Sequence, residues 1–233
     1  MHKINVLTLF PEMLNDYFSK ALAGKAKDKN LWELNTINFR DYAEDVHGTV
    51  DDTPYGGGAG MVIKCDVIEK AIIENDLKDT KFYFMSPRGK TLTQDKVKEV
   101  LKDENVTILC GRYEGVDNRI IEAYDMEEIS VGDFVLSGGE LPAMTMIDAC
   151  VRLMPDVMGN AETAGEESFE NGLLEYSHYT KPSIWVDNSG QEHKVPEVLL
   201  SGHHENIKNY RQEESKEITK NNRPDLWANY EKN

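Results

Sequence analysis

The stretch Leu136-Ser137-Gly138-Gly139-Glu140-Leu141-Pro142 decides the fold class, because it closes an apolar, strand-like run and opens a long helix-like one. Glycine tolerates positive φ and has no Cβ, so the adjacent pair Gly138-Gly139 can turn sharply. The pair also offers bare backbone N–H and C=O groups. We therefore expect a ligand to approach the backbone closely at this point.

Two further junctions have the same form. The apolar strand Val106–Cys110 runs into Gly111-Arg112-Tyr113-Glu114-Gly115, and the strand Phe82–Met85 runs into Ser86-Pro87-Arg88-Gly89. Each junction alone would also suit an ordinary strand-to-helix turn. Three together indicate a single crevice at the carboxyl edge of a parallel sheet, where open α/β folds bind ligands.

The rest of the chain alternates between strand and helix patterns, which predicts a parallel sheet. Predicted strands are Ile4–Phe10 and Leu31–Phe39; predicted helices are Pro11–Ala23, Asp66–Asn75, Thr93–Leu101, Asn118–Ala123, Leu141–Leu153 and Glu205–Lys220. Residues 50–60 read as a loop. The small, acidic, aperiodic segment Gly159–Asn171 reads as a linker between a domain of residues 1–158 and a small, mostly helical domain of residues 172–233.

Composition suits a cytoplasmic protein without a membrane span, since no apolar run approaches the necessary length. The three cysteines, Cys65, Cys110 and Cys150, form no CxxC pair and suit buried thiols better than disulfides or zinc ligands. The net charge of −16 argues against a nucleic-acid partner, because phosphate binding depends on Lys and Arg. Local potential can differ from the chain total, however, and basic residues do occur in the C-terminal segment.

Three strings carry a resemblance to a known family: GRYEGVDNRI at residues 111–120, VGDFVLSGGELPAM at residues 131–144 and VDDTPYGGGAGM at residues 50–61. They resemble the bacterial tRNA (guanine-N1)-methyltransferases of the SPOUT superfamily. The resemblance runs from LFPEM at Leu9 to LLSGHH at Leu199 and weakens after Asn206.

That resemblance implies a parallel sheet with a trefoil knot and a homodimer with composite sites. It also implies methyl transfer from S-adenosylmethionine to N1 of the tRNA guanosine 3′ of the anticodon (position 37), with a small C-terminal tRNA-binding domain. Guanine N1 carries a proton and is a poor nucleophile until that proton leaves, so a general base is needed. A cation near O6 would stabilise the negative charge that then develops.

The resemblance assigns the cation to Arg152 and the general base to Glu167. Arg152 would equally suit a helix C-terminus, where a cation complements the helix dipole, and linker carboxylates are most often merely solvated. The family pattern has aspartate where this chain has Glu167, and many relatives have aspartate at Glu175. The charge is retained at both positions while the side chain is longer by one methylene.

The other site assignments also follow from the resemblance. Asp51, Tyr55, Ser168 and Glu175 would bind the guanine or its surroundings, and Glu114 is the residue to examine for Mg²⁺. The cofactor would contact Phe84, Met85, Ser86, Pro87, Gly111, Tyr113, Glu114, Val131, Gly132, Phe134, Leu136, Gly138, Gly139 and Pro142.

Two other functional classes remain open from sequence. One is a nucleotide-dependent phosphotransfer enzyme, although no glycine loop completes the P-loop pattern. The other is a noncatalytic RNA-binding module that retains the pocket.

Overall fold

Five parallel strands form the central sheet in the computed structural model, which describes residues 1–158 and 167–232. They are β1 (His2–Thr8), β2 (Trp32–Asn38), β5 (Lys81–Thr91), β6 (Asn105–Cys110) and β7 (Glu127–Ser130). Their order across the sheet is β2-β1-β6-β5-β7, and every pairing is parallel. The prediction of an α/β fold with a parallel sheet is confirmed. Two short strands, β3 (Asp51–Asp52) and β4 (Val62–Ile63), pair antiparallel outside it.

Helices cover both faces of this sheet. They are α1 (Pro11–Phe18), α2 (Ala21–Asp28), α3 (Cys65–Glu74), α4 (Gln94–Val100), α5 (Asn118–Ala123) and α6 (Glu140–Leu153), with a 3₁₀ turn at Phe39–Tyr42. One hydrophobic core contains side chains of α1, α2, α4 and α6, and the other contains side chains of α3 and α5. Ile108 of β6 belongs to the first core and its neighbour Leu109 to the second. Successive residues of a strand point to opposite faces, so the sheet is buried on both sides and reads as a continuous apolar run.

The predicted helix Pro11–Ala23 is wrong as a single element. Helix α1 ends at Phe18, and α2 begins at Ala21, whose φ is 52°. A residue with positive φ cannot continue a right-handed helix. The pattern missed this break because the apolar residues Leu14, Phe18, Ala23 and Ala26 all join the same core.

The apolar run that ends at Leu136 is not a strand. Strand β7 ends at Ser130, and residues 131–139 form an irregular loop. Gly132 has a φ of 150°, and its N–H donates to the Ser130 hydroxyl, which in turn donates to the Gly132 carbonyl. This local turn takes the chain out of the sheet. Phe134 and Val135 are exposed as a result, so hydrophobicity alone gave the wrong prediction.

The chain divides into two compact units, Met1–Gly159 and Asn160–Asn233. The described part of the second unit contains a two-stranded antiparallel hairpin of β8 (Ile184–Val186) and β9 (Glu192–Lys194). It also contains α7 (Glu197–Leu200), α8 (His204–Asn222) and α9 (Pro224–Tyr230). Helix α8 includes the predicted helix Glu205–Lys220 and is longer by one residue at its start and two at its end.

Candidate active site at the carboxyl edge of the sheet

The carboxyl ends of three parallel strands meet at one edge of the sheet. Strand β6 ends at Cys110 and leads into the Gly111–Gly115 loop, and β7 ends at Ser130 and leads into the loop of residues 131–139. The third strand, β5, shifts its pairing with β7 between Met85 and Lys90, so the Ser86-Pro87 segment leaves the regular ladder. Because all strands run in one direction, these segments gather at the same edge.

A cavity of about 380 Å³ lies among these loops. Every residue that the sequence assigned to the cofactor lines it: Phe84, Met85, Ser86, Pro87, Gly111, Tyr113, Glu114, Val131, Gly132, Phe134, Leu136, Gly138, Gly139 and Pro142. The volume falls in the range of small-molecule sites, which is about 300–1,000 Å³. The three predicted junctions therefore form one concave site, as the sequence predicted.

The cavity is lined by both buried and exposed apolar side chains. Phe84 and Met85 are buried, whereas Tyr113 and Phe134 are each more than half exposed. A Cβ added at Gly111 would lie 3.1 Å from the Phe84 ring, so the missing side chain leaves the space beside that ring open. Exposed aromatic rings around an apolar cavity suit a ligand with a flat, partly apolar surface.

Internal packing requires both glycines of the Gly138-Gly139 pair. A Cβ at Gly139 would lie 2.7 Å from Cα of Cys110, and one at Gly138 would overlap the Arg112 side chain. Close approach of a ligand is therefore not needed to explain why both residues are glycine. Contacts inside the protein already require them, although both residues also line the cavity.

An ion pair that the sequence analysis missed lies beside these glycines. Arg112 Nη2 is 2.8 Å from Glu140 Oε2, and the Glu140 side chain is 1% exposed. The Thr8 hydroxyl donates to Glu140 Oε1 at 2.8 Å. One signal in the sequence could have indicated the pair. Glu140 is an acidic residue at the start of a mainly apolar helix, directly after two glycines, and a carboxylate in such a buried position needs a cation as partner.

The segment that contains Asp51 and Tyr55 is held to the Gly111–Gly115 loop by main-chain hydrogen bonds. The Glu114 N–H donates to the Met61 carbonyl at 3.0 Å, and the Ile63 N–H donates to the Gly115 carbonyl at 3.0 Å. The Glu114 side chain packs against Gly60, whose φ is 89°. Asp51 is half-buried in β3 and Tyr55 is fully exposed; neither lines the cavity.

Arg152 does not line the cavity of its own chain. It lies in the last turn of α6, while Gly139 and Pro142 line the cavity at the start of that helix. From Gly139 to Arg152 the helix rises by about 20 Å, at about 1.5 Å per residue. This is more than an arginine side chain can span. Within one chain, Arg152 is therefore out of reach of the cavity residues at the start of α6.

The remaining predicted residues belong to the second unit. Glu167 is half-buried, and its carbonyl accepts the Glu170 N–H at 3.3 Å. The Ser168 hydroxyl accepts the Glu175 N–H at 3.0 Å, and the Glu175 carboxylate is 2.8 Å from His178 Nε2. The backbone of Glu175 and the side chain of Ser168 are thus in contact, and the assignment of both residues to the guanine stays a prediction. Most of the predicted linker, residues 159–166, lies outside the described residues.

A family model described as tRNA (Guanine-1)-methyltransferase TrmD matches residues 2–229. The chain belongs to this tRNA (guanine-1)-methyltransferase family. The match extends past Asn206, where the quoted resemblance weakens. The matched range includes all three glycine-bearing segments that line the cavity.

Relatives of the tRNA (guanine-1)-methyltransferase family align over nearly the whole chain. A protein named tRNA (guanine-N(1)-)-methyltransferase from Pelagibacter ubique is 46% identical over 233 residues, which is all of both chains. The Rhodospirillum rubrum protein of that name is 49% identical over 225 residues, 97% of this chain and 92% of its own. The one from Rhizobium johnstonii is 50% identical over 225 residues, 96% of this chain and 90% of its own.

Residues 1–158 and 167–232 contain no group of three or more His, Cys, Asp or Glu side chains that could hold a metal ion. The same part of the chain has no helix that is both long and apolar enough to cross a bilayer. Glu114, the residue expected near Mg²⁺, is the carboxylate that lines the cavity of this methyltransferase family member.

Proposed function

We propose that this chain transfers a methyl group from S-adenosylmethionine to N1 of the guanosine at position 37, 3′ of the anticodon, in tRNA. The observation that carries the proposal is the single cavity lined by every residue assigned to the cofactor, in a chain of the tRNA (guanine-1)-methyltransferase family. The cavity would hold the cofactor with its flat adenine near the buried Phe84 side chain. The buried walls would exclude water from the sulfonium.

Two groups would complete the chemistry at guanine. The Glu167 carboxylate accepts the N1 proton, which makes N1 a nucleophile towards the methyl group. The Arg152 guanidinium donates to O6, where negative charge develops as the proton leaves. Ser168, Glu175, Asp51 and Tyr55 form the walls around the guanine. The contact between Ser168 and Glu175 supports a shared role for those two residues.

The distance along α6 supports a homodimer with composite sites. Arg152 is about 20 Å along the helix axis from the cavity end of α6, so it is too far to contact a guanine there in the same chain. A second copy could bring its own Arg152 and Glu167 to the first copy's cavity. Each of the two sites would then combine one subunit's cofactor cavity with the partner's catalytic side chains.

The proposal also includes the trefoil knot of SPOUT methyltransferases. It is supported by the Gly139 N–H, which donates to the Gly111 carbonyl at 2.9 Å and joins the loop after β7 to the loop after β6. Close contact between these loops is what a knotted cofactor site would need. We also infer a cytoplasmic location, because tRNA is the substrate and all three cysteines are free thiols.

Mg²⁺ is not part of the proposed steps. Glu114 is a single carboxylate, and the described residues around it form no metal-binding group. Mg²⁺ can keep most of its water and use few protein ligands, but the residues present do not build a site for it. Each proposed step therefore uses only protein side chains and the methyl donor.

A methyl-transfer assay with radiolabelled S-adenosylmethionine and whole tRNA tests the proposal. We expect label in tRNA with guanosine at position 37 and none in a transcript with adenosine there, and mapping of the product should give N1-methylguanosine. Calorimetry with ATP is the control for phosphotransfer. Gly89-Lys90-Thr91 has the end of a P-loop pattern, but Phe84 stands where the first glycine of that pattern is needed, so we expect no ATP binding. Cofactor binding without methyl transfer would instead indicate the RNA-binding module.

A further inference from the structure

A buried ion pair joins the two glycine loops beneath the cavity. Arg112 follows Gly111 in the loop after β6, and Glu140 is the first residue of α6, directly after Gly139. Their side chains meet at 2.8 Å and are 20% and 1% exposed, respectively. The pair therefore ties together two loops that are separate in sequence and adjacent in the cavity wall.

The first strand also contributes to this cluster. The Thr8 hydroxyl at the end of β1 donates to Glu140 Oε1 at 2.8 Å and accepts the Phe10 N–H at 3.0 Å. The Arg112 guanidinium lies over the Phe10 ring, 4.5 Å from its centre. The ends of β1 and β6 and the start of α6 are thus linked through two charged side chains.

The pair borders the cavity directly. Arg112 is one of the lining residues, and its side chain crosses the position that a Cβ of Gly138 would occupy. Arg112 Nη1 also donates to the Ser137 carbonyl at 3.4 Å, a long hydrogen bond. Movement of the guanidinium would therefore release the Ser137-Gly138 segment, which forms one wall of the cofactor cavity.

Stability alone is a weak reason for such a pair. Burying two charges has a large desolvation penalty, and replacing a buried pair with apolar side chains of similar size is often neutral or stabilising. Arg112 Nε and Glu140 Oε2 are buried without a hydrogen bond of good geometry, so the 2.8 Å contact is mainly electrostatic. What an apolar replacement would lose is the directional link between the loops.

We propose that Arg112 and Glu140 are positioning residues that hold the Gly111 loop and the Gly138-Gly139 loop at the separation that the methyl donor requires. Neither needs to contact the reacting atoms. The inference rests on the proposed function, because it assigns the ligand of this cavity as S-adenosylmethionine. The inference goes beyond the proposed function because it makes the affinity for the cofactor depend on the Arg112–Glu140 ion pair.

A double replacement separates positioning from stability. Arg112→Met/Glu140→Leu fills the space with apolar side chains, so we expect its thermal unfolding midpoint to be close to that of the natural protein. Its dissociation constant for S-adenosylmethionine, measured by calorimetry, should nevertheless be at least tenfold higher than that of the natural protein. The KM for the cofactor should rise with it, while the KM for tRNA and the single-turnover rate at saturating cofactor should stay near normal.

Natural affinity for the cofactor in this double variant would overturn the proposal and leave the pair a purely structural contact. If the double variant unfolds early, Glu140→Gln decides instead. In that variant a raised dissociation constant with a normal KM for tRNA supports positioning, and an unchanged dissociation constant refutes it. Arg112→Lys, which keeps the charge, should retain more affinity than Arg112→Met.

Lys70→Gln is the matched control. It removes a partly exposed cation that pairs with Glu44 at 3.7 Å, and neither residue nor its chain neighbours lines the cavity, so cofactor affinity should not change. Failure of the proposed function itself would look different. In that case the natural protein would show no binding of S-adenosylmethionine, before any variant is compared.

Discussion

The backbone of Gly139 packs against the backbone of Cys110, at the point where α6 begins beside the end of β6. The Gly139 N–H donates to the Gly111 carbonyl at 2.9 Å, and a Cβ added at Gly139 would lie 2.7 Å from Cα of Cys110. Backbone atoms cannot move aside as a flexible side chain can. Contacts inside the protein therefore require the absence of a side chain at this residue.

We expect Gly139→Ala to lower the free energy of unfolding by about 1–3 kcal/mol, the usual range for overpacking a tight site. Gly138→Ala should lower it less, because the added methyl group meets the side chain of Arg112 rather than backbone. Urea unfolding of both variants measures the difference. Equal losses would contradict the assignment of Gly139 to the tighter contact.

Subunit mixing should reveal composite sites. Gly111→Val would push against the Phe84 ring and fill the cavity, while Arg152→Ala removes the proposed cation at guanine. Each variant should be inactive alone. After subunit exchange, a mixture should recover a measurable fraction of the natural activity, since heterodimers have one intact site. Complete inactivity of verified heterodimers would mean that each chain supplies its whole site.

Binding of tRNA should depend only moderately on salt, with a log–log slope that corresponds to about 2–4 neutralised phosphates. Residues 161–233 contain eight Lys and Arg against fourteen Asp and Glu. Three of these bases already contact acids of the same unit: Lys194 with Glu192, Lys216 with Glu213 and Arg223 with Asp225. Filter binding across a salt series gives the slope, and a slope near that of strongly basic RNA-binding proteins would refute this estimate.

Glu167→Gln should reduce the single-turnover rate by about 10²–10⁴-fold, because the amide cannot accept the N1 proton. Glu167→Asp should be slowed less; its carboxylate is retained but lies about 1.5 Å further back. Cofactor affinity should be unchanged in both. Glu166→Gln, at a neighbouring position outside the described residues, is the control and should have little effect. A heavier loss in Glu166→Gln than in Glu167→Gln would reassign the base.

Buried thiols should make the protein less stable at alkaline pH. Burial raises the pKa of Cys150 from 9.0 to about 12, and it raises the pKa of Cys110 well above its usual value. A thiol that ionises only when unfolded stabilises the folded state below its unfolded pKa, near 9, and this stabilisation is lost as pH rises towards the folded pKa. Each such thiol contributes a slope of about 1.4 kcal/mol per pH unit.

Cys150→Ala should therefore lose stability less steeply than the natural protein between about pH 9 and pH 11, although it is less stable at pH 7 because a buried side chain is shortened. Urea unfolding at several pH values in a reducing buffer measures this. Parallel curves for the two proteins would mean that the Cys150 thiol ionises equally in both states. The pKa of Tyr83 is also raised, first by burial and least by Cys150, so only that smallest part of the Tyr83 effect differs between the two proteins.

The sequence predicts the parts of the site that depend on strand order and direction. The parallel strands β5 and β6 bring the Ser86-Pro87 segment, where the β5–β7 pairing is interrupted, and the loop after Cys110 to one edge, as predicted, although β5 continues to Thr91 and does not end at Met85. It failed where one local hydrogen bond opposed the hydrophobic pattern, as at Gly132, where Ser130 turns the chain out of the sheet. The Arg112–Glu140 pair was also missed, because two residues 28 positions apart carry no local signal of contact.

The catalytic residues are a different case. Glu167 and Arg152 were assigned by resemblance; Arg152 does not line the cavity of its own chain, and Glu167 belongs to the second unit. The proposed site shared between subunits would have no periodicity in sequence, so a local pattern could not indicate it. The cofactor half of the site is therefore more predictable than the guanine half.

Helix α6 also fixes the distance between Gly139 and Arg152. Inserting one residue between them would lengthen the rod by about 1.5 Å and turn Arg152 by about 100° around the axis. Substitutions along the helix can be absorbed by repacking, whereas a change in its length cannot be corrected locally. In the proposed mechanism, the number of residues between Gly139 and Arg152 therefore decides where the guanidinium lies, independently of which residues they are.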